Sequence, residues 1–249
     1  MASATDFNKA YYGELTAGRE NYWRYMPAPK MRIRHIIGRI GDQRRQFSSV
    51  CDFGCGNGDL LREIAACHPG AKLSGIDLSP DQIDENRRSM PDAGWAEADL
   101  TSPEFVYPFE KRCDLAISSE VVEHLDEPLR YLRNIYACLD DDGVLILTTQ
   151  SGPVHTTERH VGHVRHFEIS EMNALLADAG FRSTNTYNCG FPFHDLSKWA
   201  ANLRPEHVIE RFGQNEWGGF EKATAAILRA LFRFNSLARG YQLVAVAHR

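Results

Sequence analysis

The apolar positions of this chain change their spacing near residue 48. From there on, short apolar runs alternate with segments in which apolar residues recur every three or four positions. The short runs predict strands and the three-to-four spacing predicts helices. The predicted strands are 48–53, 72–77, 94–100, 113–119, 143–150, 183–188 and 241–249. The predicted helices between them are 58–68, 79–89, 126–139 and 170–179, the last ended by Gly180.

Strands that alternate with helices predict an α/β fold with a doubly wound, mainly parallel sheet of seven strands. We expect a single domain over residues 1–249 in three parts. Residues 1–46 are predicted to form an N-terminal helical lid, and residues 47–189 with 241–249 the core. Residues 190–240 carry amphipathic spacing and are predicted to form a helical cap insertion.

Composition and charge narrow the classes of partner. Lys and Arg number 28 against 33 Asp and Glu, which gives a net charge of −5 and argues against a nucleic-acid partner. No apolar run approaches the ~20 residues that span a bilayer, and "MASATDFNKA" lacks the apolar core of a signal peptide. The six cysteines include no CxxC pair. We therefore expect a cytoplasmic protein without a membrane span.

The stretch "VCDFGCGNGD" places three glycines, Gly54, Gly56 and Gly58, directly after the first predicted strand. A helix would lose roughly 1 kcal/mol at each of them. In an open α/β sheet this turn lies at the carboxyl edge, where ligands bind against main-chain N–H groups. The glycines thus predict a ligand that approaches the backbone closely.

The residues around these glycines disfavour a phosphate ligand. A P-loop requires Gly-Lys-Ser/Thr, but Gly58 is followed by Asp59 and Leu60. A dinucleotide fingerprint requires a third glycine where Asp59 stands, which argues against a dehydrogenase. Asp52, two residues before Gly54, would repel a pyrophosphate and favour a cation.

The spacing DxGxGxG from Asp52 to Gly58, with "GIDLS" and "AEADL" further on, resembles the class I S-adenosylmethionine-dependent methyltransferases. The resemblance covers roughly residues 45–185 and the last strand. It implies a Rossmann-like fold, S-adenosylmethionine as the cofactor and S-adenosylhomocysteine as the product. A sulfonium nucleoside without phosphate suits an acidic glycine loop.

The resemblance also implies a set of cofactor contacts. Asp52 would meet the amino group of the methionine moiety, Asp77 both ribose hydroxyls, and Asp99 the adenine amino group. The alternative for Asp77 and Asp99 is capping of the loop after each strand, a common use of Asp. The predicted cofactor site consists of Asp52, Gly54, Cys55, Gly56, Gly58, Asp77, Leu78, Asp99, Leu100 and Ser118.

Histidines are concentrated where the acceptor pocket is expected. Four of the ten occur in "HTTERHVGHVRH", directly after the fifth strand, and His124 follows the fourth. A hydroxyl acceptor benefits from a general base, and histidine is suited to that role near neutral pH. We expect His163 to be the base ahead of His166 and His124, because Gly162 leaves room beside its ring. The rate should then rise with pH through about 6.5, unless the site shifts that value.

A metal site is the alternative use of this region. On a helical turn, Glu120, Glu123 and His124 would share one face and, with a histidine from 160–166, could bind a divalent ion. That arrangement resembles the metal-dependent 2′-O-methyltransferases of small-RNA 3′ ends. The loop histidines do not match their pattern, and the acidic balance gives RNA no support. We therefore expect no strict metal requirement.

Together these patterns favour O-methylation of a small-molecule, sugar or glycoconjugate acceptor in secondary metabolism. Three other functions stay open: N-methylation, metal-assisted RNA 2′-O-methylation, and a non-catalytic cofactor-binding subunit of a second methyltransferase. Phe191, Phe193 and Trp199 are candidate substrate contacts of the cap, with core packing as the alternative for each.

Overall fold

A seven-stranded sheet forms the centre of the computed structural model, which describes residues 24–212 and 216–249. The strands are β1 (Ser49–Phe53), β2 (Lys72–Asp77), β3 (Gly94–Glu97), β4 (Cys113–Ser119), β5 (Leu139–Gln150), β6 (Ser183–Cys189) and β7 (Gln242–His248). Their order is β3-β2-β1-β4-β5-β7-β6. The first five strands run parallel, and β7 is antiparallel to both β5 and β6. The predicted mainly parallel, seven-stranded sheet is confirmed.

Helices cover the sheet and fill the region before β7. They are α1 (Pro27–Asp42), α2 (Asp59–Cys67), α3 (Pro80–Ser89), α4 (Pro128–Cys138), α5 (Thr156–His160), α6 (Ile169–Ala179), α7 (Phe193–Leu203), α8 (Pro205–Phe212) and α9 (Gly219–Leu231). Single 3₁₀ turns cover Val122–His124 and Phe232–Phe234. Within the described ranges, no helix has the length and apolar character needed to cross a bilayer.

The described part of the N-terminal region contains α1, and residues 190–240 contain α7, α8 and α9. Residues 1–23, the rest of the predicted lid, lie outside the described residues. The division into lid, core and cap stays a prediction.

Element bounds differ from the sequence prediction where a side chain or a partner strand intervenes. β3 ends at Glu97 rather than at residue 100, and Asp99 then accepts hydrogen bonds from the backbone N–H (2.8 Å) and hydroxyl (2.7 Å) of Thr101. This turn ends the strand early. β5 starts four residues earlier than predicted, with a register shift against β4 between Cys113 and Leu115.

Two apolar cores lie on opposite faces of the sheet, because successive strand residues point to opposite sides. On β4, Leu115 and Ile117 belong to the core under α1, α2 and α3. Ala116 belongs to the other core, under α4 and α6. With both faces covered, ligands reach the sheet at its carboxyl edge.

Candidate active site

The glycine loop after β1 is fastened to the neighbouring strand. The backbone N–H groups of Gly54 and Cys55 both donate to the carbonyl of Ile76, at 2.8 and 3.0 Å. Cys55 is itself buried, 6% exposed. All three glycines are in the left-handed region, with φ of +87° at Gly54, +48° at Gly56 and +74° at Gly58. Only glycine adopts this conformation readily, so the loop shape depends on the sequence pattern.

The three glycines differ in what surrounds them. A Cβ on Gly54 would lie 2.4 Å from Cγ2 of Val121, and one on Gly58 would lie 2.9 Å from Oδ1 of Asn86. A Cβ on Gly56 would have no atom within 4 Å. The middle of the loop therefore faces open space, which fits a ligand lying against the backbone.

Asp77, at the end of β2, joins the loop to the following helix. Its Oδ2 accepts the N–H of Gly56 at 2.8 Å, and its Oδ1 accepts the N–H of Ser79 at 3.0 Å. Burial raises the pKa of Asp77, although these backbone bonds partly oppose it. The loop-capping alternative is thus realised, but a carboxylate has about four acceptor positions and can still receive ligand hydroxyls. Leu78 beside it is half-buried.

Asp52 lies on β1, just before the glycine loop, and its carboxyl group is buried, with 2% of the residue exposed. Its Oδ1 has no hydrogen-bond partner among the described residues. Burial and the charge of Asp77 raise the pKa of Asp52 to about 8. A buried, unsatisfied carboxyl oxygen is costly, and a cationic ligand group would relieve that cost.

The remaining predicted cofactor residues differ in their burial and in their hydrogen bonds. Asp99 is half-buried and caps the turn at Thr101 through Oδ1. Leu100 is 8% exposed and packs in the core. Ser118 is wholly buried, and its hydroxyl lies 2.7 Å from that of Tyr131. Its side chain is enclosed in the protein interior, and the assignment of Ser118 to a ligand contact stays a prediction.

Glu120 is not on the helical face that the sequence predicted. It has φ +58°, and the helical turn begins only at Val122–His124. Its carboxylate instead accepts the side-chain amides of Gln150 at 2.5 Å and Gln242 at 2.8 Å, with Arg32 at 3.8 Å. Burial alone would raise the pKa of Glu120, but Arg32 and the two amides lower it.

Glu123 is wholly buried and lies beside the histidines. Its Oε2 accepts the hydroxyl of Thr149 at 2.8 Å, and its Oε1 has no hydrogen-bond partner in the described ranges. Burial, with repulsion from Glu120, raises the pKa of Glu123. The backbone carbonyl of Glu123 accepts the N–H of Val164 at 3.0 Å and so holds residues 155–166, the histidine loop, beside Glu123.

The three candidate catalytic histidines come together. Nδ1 of His163 lies 2.9 Å from Nε2 of His166, whose own Nδ1 lies 3.1 Å from the carbonyl oxygen of Gly152. A carbonyl only accepts, so His166 carries its proton on Nδ1 and accepts the Nδ1–H of His163. Nε2 of His163 is left with a lone pair. The ring of His124 packs edge-on against that of His163, 4.7 Å between centroids.

Burial keeps these imidazoles neutral. Burial lowers the pKa of His163 to about 2, and the nearby His124 and His166 add to this shift. It also lowers the pKa values of His124 and His166 themselves to about 4. The expected rise of the rate through about pH 6.5 applied only if the site left the imidazole pKa at its ordinary value, and here burial lowers that of His163.

Several polar side chains at this site were not among the residues predicted from the sequence. Lys198, on α7, donates to Oε1 of Gln150 at 2.9 Å and lies 3.3 Å from Glu158. Gln150 and Gln242 are register partners on β5 and β7. Gln150 ends the apolar strand β5 and Gln242 begins the apolar strand β7. Because buried polar side chains need partners, these two glutamines could have indicated a polar site.

The predicted aromatic contacts of the cap are not in the core. Phe191 is 50% and Trp199 is 59% exposed, while Phe193 is half-buried. The core-packing alternative is thus wrong for Phe191 and Trp199. A surface cavity of about 310 Å³ is lined by Phe191, Asp195, Arg239, Gly240 and Tyr241 and contains none of the candidate catalytic histidines.

Comparison with known proteins agrees with this geometry. Residues 22–186 match the family model described as a methyltransferase domain. Trans-aconitate 2-methyltransferase of Escherichia coli O7:K1 is 27% identical over 238 residues, covering 84% of this chain and 88% of that protein.

Two solved structures share the fold. Phosphoethanolamine N-methyltransferase 2 of Haemonchus contortus, solved with phosphomonomethylethanolamine and S-adenosylhomocysteine, has a TM-score of 0.67 at 15% identity. The match covers all of this chain and 60% of that longer one. The N-methyltransferase NodS of Bradyrhizobium japonicum, solved with S-adenosylhomocysteine, has a TM-score of 0.60 at 15% identity over 100% and 99% of the two chains. With the family model matching most of its length, the chain belongs to the methyltransferase domain family and is a class I S-adenosylmethionine-dependent methyltransferase.

Proposed function

We propose that this enzyme methylates an oxygen atom of a small acceptor, such as a sugar, a glycoconjugate or another secondary metabolite, with His163 as the general base. The observation that carries the proposal is the hydrogen-bond chain from Gly152 through His166 to His163. This chain fixes the tautomer of His163 and leaves its Nε2 able to accept a proton.

The proposed cofactor contacts follow from the loop geometry. When bound, S-adenosylmethionine supplies a methyl group already activated on a cationic sulfonium. The open space at Gly56 would receive the methionine moiety, and the unpartnered Oδ1 of Asp52 would accept its amino group. Asp77 would accept the ribose hydroxyls. Leu78, Leu100 and Asp99 would contact the adenine.

The proton balance suits a buried neutral imidazole. Nε2 of His163 would take the O–H proton of the acceptor as its oxygen is methylated, while Nδ1–H would stay bonded to His166. His163 would become an imidazolium, and because the C–S bond of the sulfonium would break to leave a neutral thioether, the total charge of the site would be unchanged. A base with a lowered pKa gains its proton only together with methyl transfer, since the bare site disfavours an imidazolium.

The similar proteins support a small acceptor and keep one alternative open. Trans-aconitate, named for the Escherichia coli relative, is a small molecule. Both solved neighbours are N-methyltransferases, so an amine acceptor is the second candidate. An amine would depend less on His163, because its lone pair attacks without a base.

The test is to identify the atom that receives the methyl group. The protein is incubated with S-adenosylmethionine carrying a ¹³C-methyl group and with fractionated extract of the source cells. The product is then analysed by two-dimensional NMR. We expect a methyl signal coupled through oxygen to the acceptor skeleton. A methyl group on nitrogen would contradict the proposal and favour the alternative.

A further inference from the structure

Three buried or half-buried side chains of the candidate active site place possible metal-ligand atoms close together. Glu123, His124 and His163 each offer one ligand atom, and these atoms lie within 4.8 Å of one another. We propose that they form a binding site for a divalent transition-metal ion, and that an ion bound there inhibits the enzyme. This set differs from the one expected from sequence, because Glu120 turns away to Gln150 and Gln242.

The hydrogen bonds behind the three side chains orient them as ligands. Thr149 holds Oε2 of Glu123 at 2.8 Å, while Oε1 of the same carboxyl is buried and has no hydrogen-bond partner in the described ranges. His166 holds Nδ1 of His163 at 2.9 Å and leaves Nε2 with its lone pair. The backbone of Gly162 hydrogen-bonds to His124. Metal-binding residues are commonly held in place by such a second layer of hydrogen bonds.

The ligand set indicates which ions would bind. Two imidazole nitrogens and one carboxylate oxygen suit Zn²⁺, Co²⁺ or Ni²⁺, whereas Mg²⁺ and Ca²⁺ prefer oxygen ligands throughout. With metal–ligand bonds of about 2 Å, ligand atoms stand at most about 4 Å apart, so a small rotation of the side chains would close the site. Three protein ligands leave a fourth position for water.

Such an ion would compete with catalysis. It would occupy the Nε2 lone pair that takes the acceptor proton, so His163 could not serve both purposes at once. The binding of the ion does not depend on the acceptor chemistry. The inhibition rests on the proposed function.

The binding test uses the full chain after removal of metal, titrated with Zn²⁺ in a calorimeter and with Co²⁺ by visible absorption. We expect one equivalent to bind. Glu123→Gln and His163→Ala should each weaken binding at least about tenfold. His160→Ala, at an exposed position of the same loop, should not. Circular dichroism and S-adenosylhomocysteine binding verify that each variant is folded. Absent saturable binding, or binding unchanged in both site variants, would overturn the proposal.

The inhibition is tested separately, with the acceptor found in the extract assay. One equivalent of Zn²⁺ should abolish most turnover, and a chelator should restore it. The residual turnover of His163→Ala should be insensitive to Zn²⁺. If Zn²⁺ binds but wild-type turnover persists, the inhibitory role is wrong and His163 is not the base. An acceptor that proves to be an amine would leave the calorimetric result intact and overturn only the proposed function.

Discussion

The two halves of the site are built on different principles. The cofactor half, from Asp52 to Asp99, follows three adjacent strands, and its shape depends on left-handed glycines and backbone hydrogen bonds. The proposed acceptor half contains side chains from α1, β5, α7 and β7, such as Arg32, Gln150 and Lys198. A ligand recognised by backbone leaves a local sequence pattern, whereas a pocket assembled from distant side chains does not.

Burial shifts the pKa values in the two halves in opposite directions. It raises the pKa of Asp52 to about 8 and also that of Asp77, and it lowers that of His163 to about 2. In both halves it disfavours the charged form. In the proposed site, a cationic ligand group would restore the charge of the buried carboxyls, and the neutral imidazole of His163 would be able to accept a proton.

The largest expected effect in the cofactor half comes from Asp77→Ala. The variant loses a carboxylate that fastens Gly56 and Ser79 and is proposed to accept the ribose hydroxyls. We expect binding of S-adenosylhomocysteine to weaken by ~2–4 kcal/mol, or roughly 30- to 1000-fold, measured by calorimetry. Asp81→Ala, in the exposed first turn of α3, is the control and should bind normally. A folded Asp77→Ala protein of near-normal affinity would remove Asp77 from the cofactor site.

A pair of glycine variants separates the shape of the loop from its ligand contact. Gly54→Ala forces a Cβ against Val121 at 2.4 Å and should lower the free energy of unfolding by ~2–3 kcal/mol in urea denaturation. Gly56→Ala meets no neighbour and should cost only ~1–2 kcal/mol for its backbone conformation. It should nevertheless weaken cofactor binding. Unchanged affinity in Gly56→Ala would show that the ligand does not pass at this point.

A smaller effect is expected in the pH dependence of cofactor binding. Below about pH 8, Asp52 is protonated in the free protein, and a cationic amino group favours its ionised form. Binding then releases a proton, so affinity should rise with pH by at most about tenfold per unit and level off above about 8. Calorimetry would measure the affinity of wild type and of Asp52→Asn at each pH. The ratio of the two affinities is compared, because protonation of the ligand itself affects both proteins equally. A ratio independent of pH would exclude the contact.

The same difference between the halves decided what could be predicted from the sequence. The sheet, the glycine loop and the position of Asp77 follow from local apolar spacing and short motifs. The paired glutamines do not, because Gln150 and Gln242 meet only when β5 and β7 pair.

Where the surroundings of a residue differ from the sequence prediction, the difference also has a physical reason. The helical spacing of Glu120, Glu123 and His124 suggested one shared face, but φ +58° at Glu120 interrupts the turn, and no spacing rule encodes that. Ser118 was assigned by resemblance alone, and no local pattern encodes its enclosure, with its hydroxyl 2.7 Å from that of Tyr131. The histidine loop was found as a cluster, but its proton arrangement required the carbonyl of Gly152.

The turnover of His163→Ala with the acceptor identified by methyl labelling tests the central claim most directly. The account predicts a fall in kcat of ~10²-fold or more, because the variant lacks the imidazole that accepts the proton of the acceptor hydroxyl. Binding of S-adenosylmethionine should stay nearly constant, and the exposed His160→Ala should turn over normally. Near-normal kcat in a folded His163→Ala enzyme would contradict the account, since His163 would then line the pocket without accepting a proton.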